Sequence, residues 1–104
     1  MNGGTTSSEG TAAINKVRAR AKASQLTSYS LIEILDEWSR EFYFEGRRRT
    51  DLIRFNRFGG NNNYNWAWKN GVATGANFSK DMNLFPLPNT EINTNSNLKQ
   101  NHGY

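Results

Sequence analysis

Arginine is the most concentrated charged side chain in one segment of this 104-residue sequence. The run Arg47–Arg49 lies in a segment, residues 40–58, that carries six arginines and three acidic residues. Unpaired arginines at this density would bind phosphate groups, whereas arginines that meet carboxylates would stabilise the fold. Helical spacing favours the second role, because it brings arginines and acids together in four pairs: Asp36 and Arg40, Glu45 and Arg49, Arg47 and Asp51, and Asp51 and Arg54.

Three aromatic residues, Tyr64, Trp66 and Trp68, alternate along the chain and could stack on a flat ligand. Aromatic rings beside asparagines can cover the face of a sugar or a nucleobase. The same alternation is typical of an extended segment that packs one aromatic face into a core. Core packing is the favoured interpretation, and stacking on a glycan is the alternative for these three residues.

The other residue types argue against catalysis. Cysteine is absent, which excludes disulfides, thiolate nucleophiles and cysteine-bound zinc. The only histidine, His102, has no convergent partners that would form a triad or a metal site. The glycine-rich stretch at residues 59–65 lacks the lysine and hydroxyl residue of a phosphate-binding loop. We therefore expect no catalytic residue, no metal and no other cofactor, and we predict that the protein is not an enzyme.

Two helices are expected to position these residues. Apolar residues recur with a helical period over residues 11–23 and again from residue 31 onward. Ser30 and Glu33 have the spacing of a capping box at the start of the second helix. Its apolar phase continues far along the chain, so the pattern predicts one long helix over residues 31–56.

Glycines mark the interior and the end of the long helix. Gly46 lies inside it, where glycine costs about 0.5–1 kcal/mol relative to alanine. Close packing against a neighbouring element is the favoured reason for this glycine, ahead of a kink. Gly59 and Gly60 are expected to supply the left-handed residue that ends the helix.

The remaining segments are predicted to be irregular. Residues 1–10 are rich in Gly, Ser and Thr, and we expect them to form a disordered tail. The long segment after residue 56 is rich in aromatic residues, asparagine and proline, and Pro86 and Pro88 exclude a helix around them. The predicted fold class is mainly α with little or no sheet, and residues 11–104 are expected to be a fragment of a single domain.

The charge balance permits a polyanionic partner without requiring one. The net charge is +4 and the isoelectric point is about 9.7. A small basic nucleic-acid-binding module therefore stays open as an alternative function. No apolar stretch approaches the roughly 20 residues of a membrane span, and the first residues do not match a secretory signal. We expect the chain to carry neither a signal nor an anchor.

Two motifs in the correct order give the sequence a family resemblance. Residues 41–54, EFYFEGRRRTDLIR, resemble the signature E-F-x-F-E-G-x-R-x-x-D-L-I-R of the SusD/RagB family. The matching positions are Glu41, Phe42, Phe44, Glu45, Gly46, Arg48, Asp51, Leu52, Ile53 and Arg54. The last residues resemble that family's C-terminal end at Pro86, Pro88, Glu91, Ile92, Asn95, Asn97, Leu98, Gln100, Asn101, Gly103 and Tyr104. Leu87, Ser96 and His102 depart from it, where Ile, Pro and Pro are usual.

The resemblance implies a function. SusD/RagB proteins are surface glycan-binding lipoproteins of the Bacteroidetes outer membrane, with a tetratricopeptide-like helical scaffold, and are several times longer than this chain. By that resemblance the chain is the C-terminal portion of a protein that captures oligosaccharides. The protein would hand them to a SusC-like TonB-dependent transporter, without catalysis and without a nucleic-acid partner. The family's sugar-contacting residues lie outside these two motifs, so none is carried over.

The resemblance also implies roles for the motif residues. A structural ion network would join the long helix to neighbouring elements through Glu41, Glu45, Arg48, Asp51 and Arg54. The proline-bearing tail would wrap over that helix, with Leu84, Phe85 and Leu87 on its apolar face. Two alternatives stay open: a nucleic-acid-binding module, and a stand-alone carbohydrate-binding piece that uses Tyr64, Trp66 and Trp68.

Overall fold

The computed structural model describes residues 4–61 and 63–104, which fall into two compact units, Met1–Gly46 and Arg47–Tyr104. The first unit contains helices α1 (Ser8–Arg20) and α2 (Leu31–Glu41). The second contains α3 (Arg48–Arg54), α4 (Asn89–Thr94) and two 3₁₀ turns, Lys69–Gly71 and Lys80–Asn83. The described residues include no strand, only two isolated bridges, Thr5 with Ser30 and Gly59 with Phe78. The prediction of a mainly helical fold without a sheet is confirmed.

Helix α1 begins three residues earlier than the apolar period predicted. The Ser7 hydroxyl accepts a hydrogen bond from the Gly10 N–H at 3.2 Å and caps the helix. Residues 8–10, expected in the disordered tail, form the first turn of α1. The Thr6 N–H donates to the carbonyl of Tyr29 at 2.9 Å, which ties this segment to the approach to α2. Residues 1–3 of the predicted tail lie outside the described residues.

Helix α2 begins at the predicted capping box. Ser30 accepts from the backbone N–H of Glu33, and the Glu33 carboxylate accepts from the backbone N–H of Ser30 at 2.7 Å. That backbone hydrogen bond, with a second from the Ser30 hydroxyl, lowers the pKa of Glu33 below its ordinary value. Leu35 on this helix and Tyr29 just before it are completely buried and form the core of the first unit.

The prediction of one helix over residues 31–56 is wrong. The chain leaves the helical conformation after α2, because Phe44 has a φ of 63° and Gly46 a φ of 71°. A Cβ placed on Gly46 would meet no atom within 4 Å among the described residues, so close packing does not explain this glycine. Its role is the left-handed backbone that separates α2 from α3. The apolar phase carries across the break, which is why periodicity alone missed it.

Helix α3 also ends earlier than its glycines suggested. Asn56, with a φ of 55°, supplies the left-handed residue, and its N–H donates to the carbonyl of Ile53 at 2.9 Å. The Arg57 N–H donates to the carbonyl of Leu52 at 2.7 Å, which completes a Schellman motif. Gly59 and Gly60 therefore lie beyond the cap. None of the helices within residues 4–61 and 63–104 is long and apolar enough to cross a lipid bilayer.

Candidate functional site

A buried carboxylate joins the two helices of the first unit. Glu37 on α2, which is 8% exposed, accepts hydrogen bonds from Arg18 on α1 and from Arg40 on α2, the latter at 2.7 Å. Burial by itself raises the pKa of Glu37, but the hydrogen bonds and charges of Arg40 and Arg18 outweigh it, so the pKa lies below its ordinary value. Helical spacing had paired Arg40 with Asp36, whereas the carboxylate it contacts is Glu37, three residues before it.

A second, more exposed ion pair lies two residues further along α1 and four residues further along α2. Arg20 donates a hydrogen bond to Glu41, the first acidic residue of the EFYFEG motif. The hydrogen bond and the charge of Glu41 raise the pKa of Arg20. Between the helices lies an open apolar groove with a volume of about 140 Å³, lined by Ile14, Val17, Ile34, Glu37, Trp38, Glu41 and Phe42. The first unit thus uses acids on α2 and arginines on α1 to hold the helix pair together.

The arginine run opens the second unit, where its side chains contact aromatic rings and backbone carbonyls. Arg48 donates to the Tyr64 hydroxyl at 2.7 Å, and its guanidinium lies 5.7 Å from the centre of that ring. Arg49 donates to the carbonyl of Met82 at 2.6 Å and lies 3.8 Å from the centre of the Phe85 ring. Both contacts connect α3 to later segments of the chain.

The proposed ion network is divided between the units. Glu41 and Glu45 belong to the first unit, and Arg48, Asp51 and Arg54 belong to the second, where Asp51 is buried. A single network of all five residues stays a prediction. Glu41 and Arg48 each have a partner within their own unit, Arg20 and Tyr64 respectively. Arg49, which the predicted network did not include, binds the carbonyl of Met82.

The tail lies on α3 as expected, but by a different contact. Arg49 holds it through the carbonyls of Met82 and Leu84, at 2.6 and 3.3 Å. Leu84 and Phe85 are 60% and 70% exposed, so they do not fill an apolar face, and the expectation that they do is wrong. Charge-assisted hydrogen bonds to backbone carbonyls replace the predicted apolar packing at this place.

Polar side chains from the last residues clamp the backbone of the proline-bearing segment. Gln100 makes a two-point contact with Leu87, because its oxygen accepts from the Leu87 N–H at 2.8 Å and its amide nitrogen donates to the Leu87 carbonyl at 3.0 Å. Asn101 donates to the carbonyl of Phe85 at 2.7 Å, and the Tyr104 hydroxyl donates to the carbonyl of Leu84 at 2.9 Å. The tail is held by side chains that satisfy main-chain groups of this segment.

The histidine lies on the surface, in sequence between the clamp residues Asn101 and Tyr104. His102 Nδ1 is 2.9 Å from the carboxylate of Asp81, which also accepts from the Ser79 hydroxyl at 3.0 Å. The hydrogen bond with His102, followed by that with Ser79, lowers the pKa of Asp81. His102 is exposed at the end of the chain, and its observed partner is this one carboxylate.

The aromatic trio is divided by a turn. Tyr64 and Trp66 contact each other edge to face with ring centres 6.3 Å apart, and Trp66 contacts Phe78 in the same way at 6.4 Å. Trp68 has a φ of 66°, so the extended alternation ends before it, and its side chain is 70% exposed. The prediction of one aromatic face shared by the three residues is wrong, because Trp68 lies outside the cluster.

Lys69 is a buried cation beneath this cluster. It is 1% exposed, and its ammonium group donates to the carbonyl of Tyr64 at 2.8 Å. The same group lies 4.9 Å from the centre of the Trp66 ring and 5.7 Å from that of Phe78, as in a cation–π contact. Burial lowers the pKa of Lys69.

Comparison with known proteins matches this arrangement of motifs to a family. The model described as the SusD family matches residues 1–104. The chain belongs to the SusD family. It is also similar to the starch-binding protein SusD of Bacteroides thetaiotaomicron, with 43% identity over 97 residues. That alignment covers 92% of this chain and 17% of the relative, so the chain spans less than a fifth of the curated protein.

The two SusD-family motifs now have structural meanings. The first runs from the end of α2 across the left-handed break at Gly46 and through α3. The second contains the clamp residues Gln100, Asn101 and Tyr104. Both motifs contain residues whose side chains bind other parts of this chain.

Sequence reasoning did not predict the contacts of Arg18, Glu37, Arg49, Lys69 and Gln100. It had paired Arg49 with Glu45 and had placed Gln100 in the C-terminal motif without a structural role. A signal for Glu37 was present, because Arg40 lies three residues after it, a spacing at which helical side chains meet. No pattern within a helix could reveal Lys69 or Gln100, since each binds a backbone group in an irregular segment.

Proposed function

We propose that this chain forms the C-terminal part of a SusD-like protein that captures oligosaccharides at the cell surface. The observation that carries the proposal is membership of the SusD family together with 43% identity to a protein named as starch-binding. The ligand class is therefore a neutral glycan, with glucans the first to test. Capture without catalysis fits the sequence, which has no recognisable set of catalytic residues.

Within such a protein the helices and the tail of this chain act as scaffold. Its arginines and acids contact each other, aromatic rings and backbone carbonyls, as Arg18 with Glu37 and Arg49 with Met82 show. Engaged arginines are poorly suited to neutralise phosphates, and this argues against the nucleic-acid-binding alternative. The clamp by Gln100, Asn101 and Tyr104 would fix the end of the chain to this scaffold.

The proposal extends to location and partner. A SusD-like protein would act at the outer membrane as a surface-exposed lipoprotein and pass its glycan to a SusC-like TonB-dependent transporter. Family membership supports both statements. Protease treatment of intact cells should remove an epitope-tagged copy, and affinity purification after mild cross-linking should recover the transporter. An epitope protected from protease, with no transporter recovered, would contradict this part of the proposal.

Native gels that contain polysaccharide test the glycan function directly. The protein is run through gels with amylopectin, dextran or xylan, and titrated in parallel with maltoheptaose by calorimetry. Retardation by at least one polysaccharide, without release of reducing sugar, is the expected result. A single-stranded DNA oligonucleotide at low salt serves as the control for the nucleic-acid alternative. Binding to DNA but to none of the glycans would overturn the proposal.

A further inference from the structure

An exposed tryptophan stands at the tip of a short loop, residues 66–76. Trp68 is 70% exposed, and its backbone has a φ of 66°, a left-handed conformation that few large side chains adopt. Asn70 in the same loop has a φ of 55°. Unfavourable backbone conformations of this kind persist only where the surroundings determine them, and they cluster at ligand-binding sites.

The loop is fixed by its own hydrogen bonds. The Lys69 N–H donates to the carbonyl of Trp66 at 3.1 Å, and the Ala76 N–H donates to the carbonyl of Lys69 at 3.0 Å. Gly75 lies against the carbonyl of Trp66 so closely that no side chain would fit there. The buried ammonium of Lys69 anchors the loop to Tyr64 from below. Trp68 is therefore held outward by a hydrogen-bonded base. Its exposure does not result from a loose loop.

The surface around Trp68 has no exposed charge from its own segment. Between Gly59 and Ser79 the only charged residue in the sequence is Lys69, and its side chain is buried. The same segment carries exposed asparagines at positions 63, 65 and 70, and the Asn70 amide nitrogen donates to the carbonyl of Asn77 at 3.1 Å. Amide groups can both donate and accept hydrogen bonds, as sugar hydroxyls require. A single-stranded nucleic acid would instead require a positively charged groove beside the aromatic ring.

We propose that Trp68 is a stacking platform for a pyranose ring of a neutral oligosaccharide. The apolar C–H face of the sugar would lie on the indole, and amide groups of the same segment would bind hydroxyl groups at the ring edge. Tyr64 and Trp66, the other members of the trio, serve as the base of the platform together with Lys69. This assignment deepens the proposed function and rests on it, because it names one contact within a glycan-binding protein.

Substitution of the tryptophan tests the platform. Trp68→Ala should weaken binding of maltoheptaose, or of whichever glycan the native gels identify, by about tenfold, which is toward the low end of the range for nucleobases stacked on aromatic side chains. Trp68→Phe should retain part of the affinity. Tyr43→Ala removes an aromatic of similar exposure, 74%, from the first unit and should leave the affinity unchanged.

A stability measurement separates stacking from packing. Trp68→Gly removes the indole and relaxes the left-handed backbone, so its melting temperature should equal or exceed that of the wild type, while binding is lost. A lowered melting temperature in both Trp68 variants would identify Trp68 as a packing residue and overturn the assignment. Wild-type affinity in Trp68→Ala would also overturn it, and would leave the proposed function intact. A wild-type protein that binds none of the glycans would remove both.

Discussion

Replacement of Glu37 tests whether the buried ion pair holds the two helices of the first unit together. Glu37→Ala removes the carboxylate that accepts from Arg18 and Arg40. The Arg18 side chain is only 15% exposed, so water would rehydrate it poorly once its partner is gone. Arg40 is 60% exposed and could turn to solvent at little cost. The destabilisation should therefore come mainly from Arg18.

The structure allows the size of this effect to be bounded. Removing one partner of a fully buried pair costs about 3–5 kcal/mol. Here Arg18 keeps a second acceptor, the carbonyl of Ser24, so the loss in the free energy of unfolding should be nearer to ~2–3 kcal/mol. Glu41→Ala is the matched control, because it removes the same group from the same helix. Its partner Arg20 is 69% exposed, and the expected loss is ~0–1 kcal/mol.

Urea unfolding monitored by far-ultraviolet circular dichroism measures both variants. A double-mutant cycle with Arg18→Ala adds a second criterion: removing both partners should cost less than the sum of the single losses, by about 1–3 kcal/mol. Equal destabilisation by Glu37→Ala and Glu41→Ala would refute the reasoning. Strict additivity of Arg18→Ala and Glu37→Ala would refute it independently, because an unpaired buried arginine would then carry no cost.

The stability that the pair of Glu37 and Arg18 contributes should depend on pH. The folded pKa of Glu37 lies below its ordinary value, so the pair contributes its full stability at pH values above that ordinary value. As the pH falls through the unfolded and then the folded pKa, the contribution is lost. The stability difference between wild type and Glu37→Gln should therefore shrink below about pH 5. A difference that stays constant down to pH 3 or grows in acid would contradict the lowered pKa.

Three further changes probe other parts of the chain. Gly46→Ala should lower the free energy of unfolding by about 1 kcal/mol in urea titrations, because alanine disfavours the positive φ at this position. Gly10→Ala, inside α1, is the control and should cause no such loss. No loss at position 46 would contradict the left-handed break. In the wild type the melting temperature should rise toward alkaline pH, because the lowered folded pKa of Lys69 makes the unfolded chain bind this proton more readily up to about pH 10.4. Lys69→Met should abolish that rise. A rise that persists in the variant would show that Lys69 is not its source. Gln100→Glu places a carboxylate against the Leu87 carbonyl and should cost about 1–3 kcal/mol, measured by thermal unfolding at neutral pH, and an unchanged melting temperature would refute the clamp.

The sequence was sufficient for features that depend on local patterns. The capping box at Ser30 and Glu33 and the absence of a sheet among the described residues follow from residue types a few positions apart. The family motifs were recognisable for the same reason. The bounds of the second helix were not, because apolar periodicity persists across the break at Gly46. Gly46 itself was the visible signal of the break, but the apolar period did not show it, and nothing in the sequence marked the left-handed conformation of Phe44.

Contacts between distant segments were largely beyond reach of the sequence. Arg49 binds carbonyls more than thirty residues away, at Met82 and Leu84, and the Lys69 ammonium binds the carbonyl of Tyr64 from an irregular turn. Backbone carbonyls are present at every residue, so no side-chain pattern marks which one will be used. The alternation that joined Trp68 to Tyr64 and Trp66 misled for a related reason: a change of backbone direction at one residue leaves the spacing intact.

The second unit shows why the C-terminal motif requires particular polar residues. Leu52 is the one apolar side chain in its described part that is completely buried, so apolar burial alone gives this unit little cohesion. Gln100, Asn101 and Tyr104 supply it by satisfying backbone groups of residues 84–87, each hydrogen bond contributing roughly 1 kcal/mol. A two-point contact such as that of Gln100 needs one donor and one acceptor on the same planar group, which the side-chain amide offers and an ionised carboxylate does not. The polar character of these side chains is thus accounted for by the backbone groups they hold, without any need for a ligand.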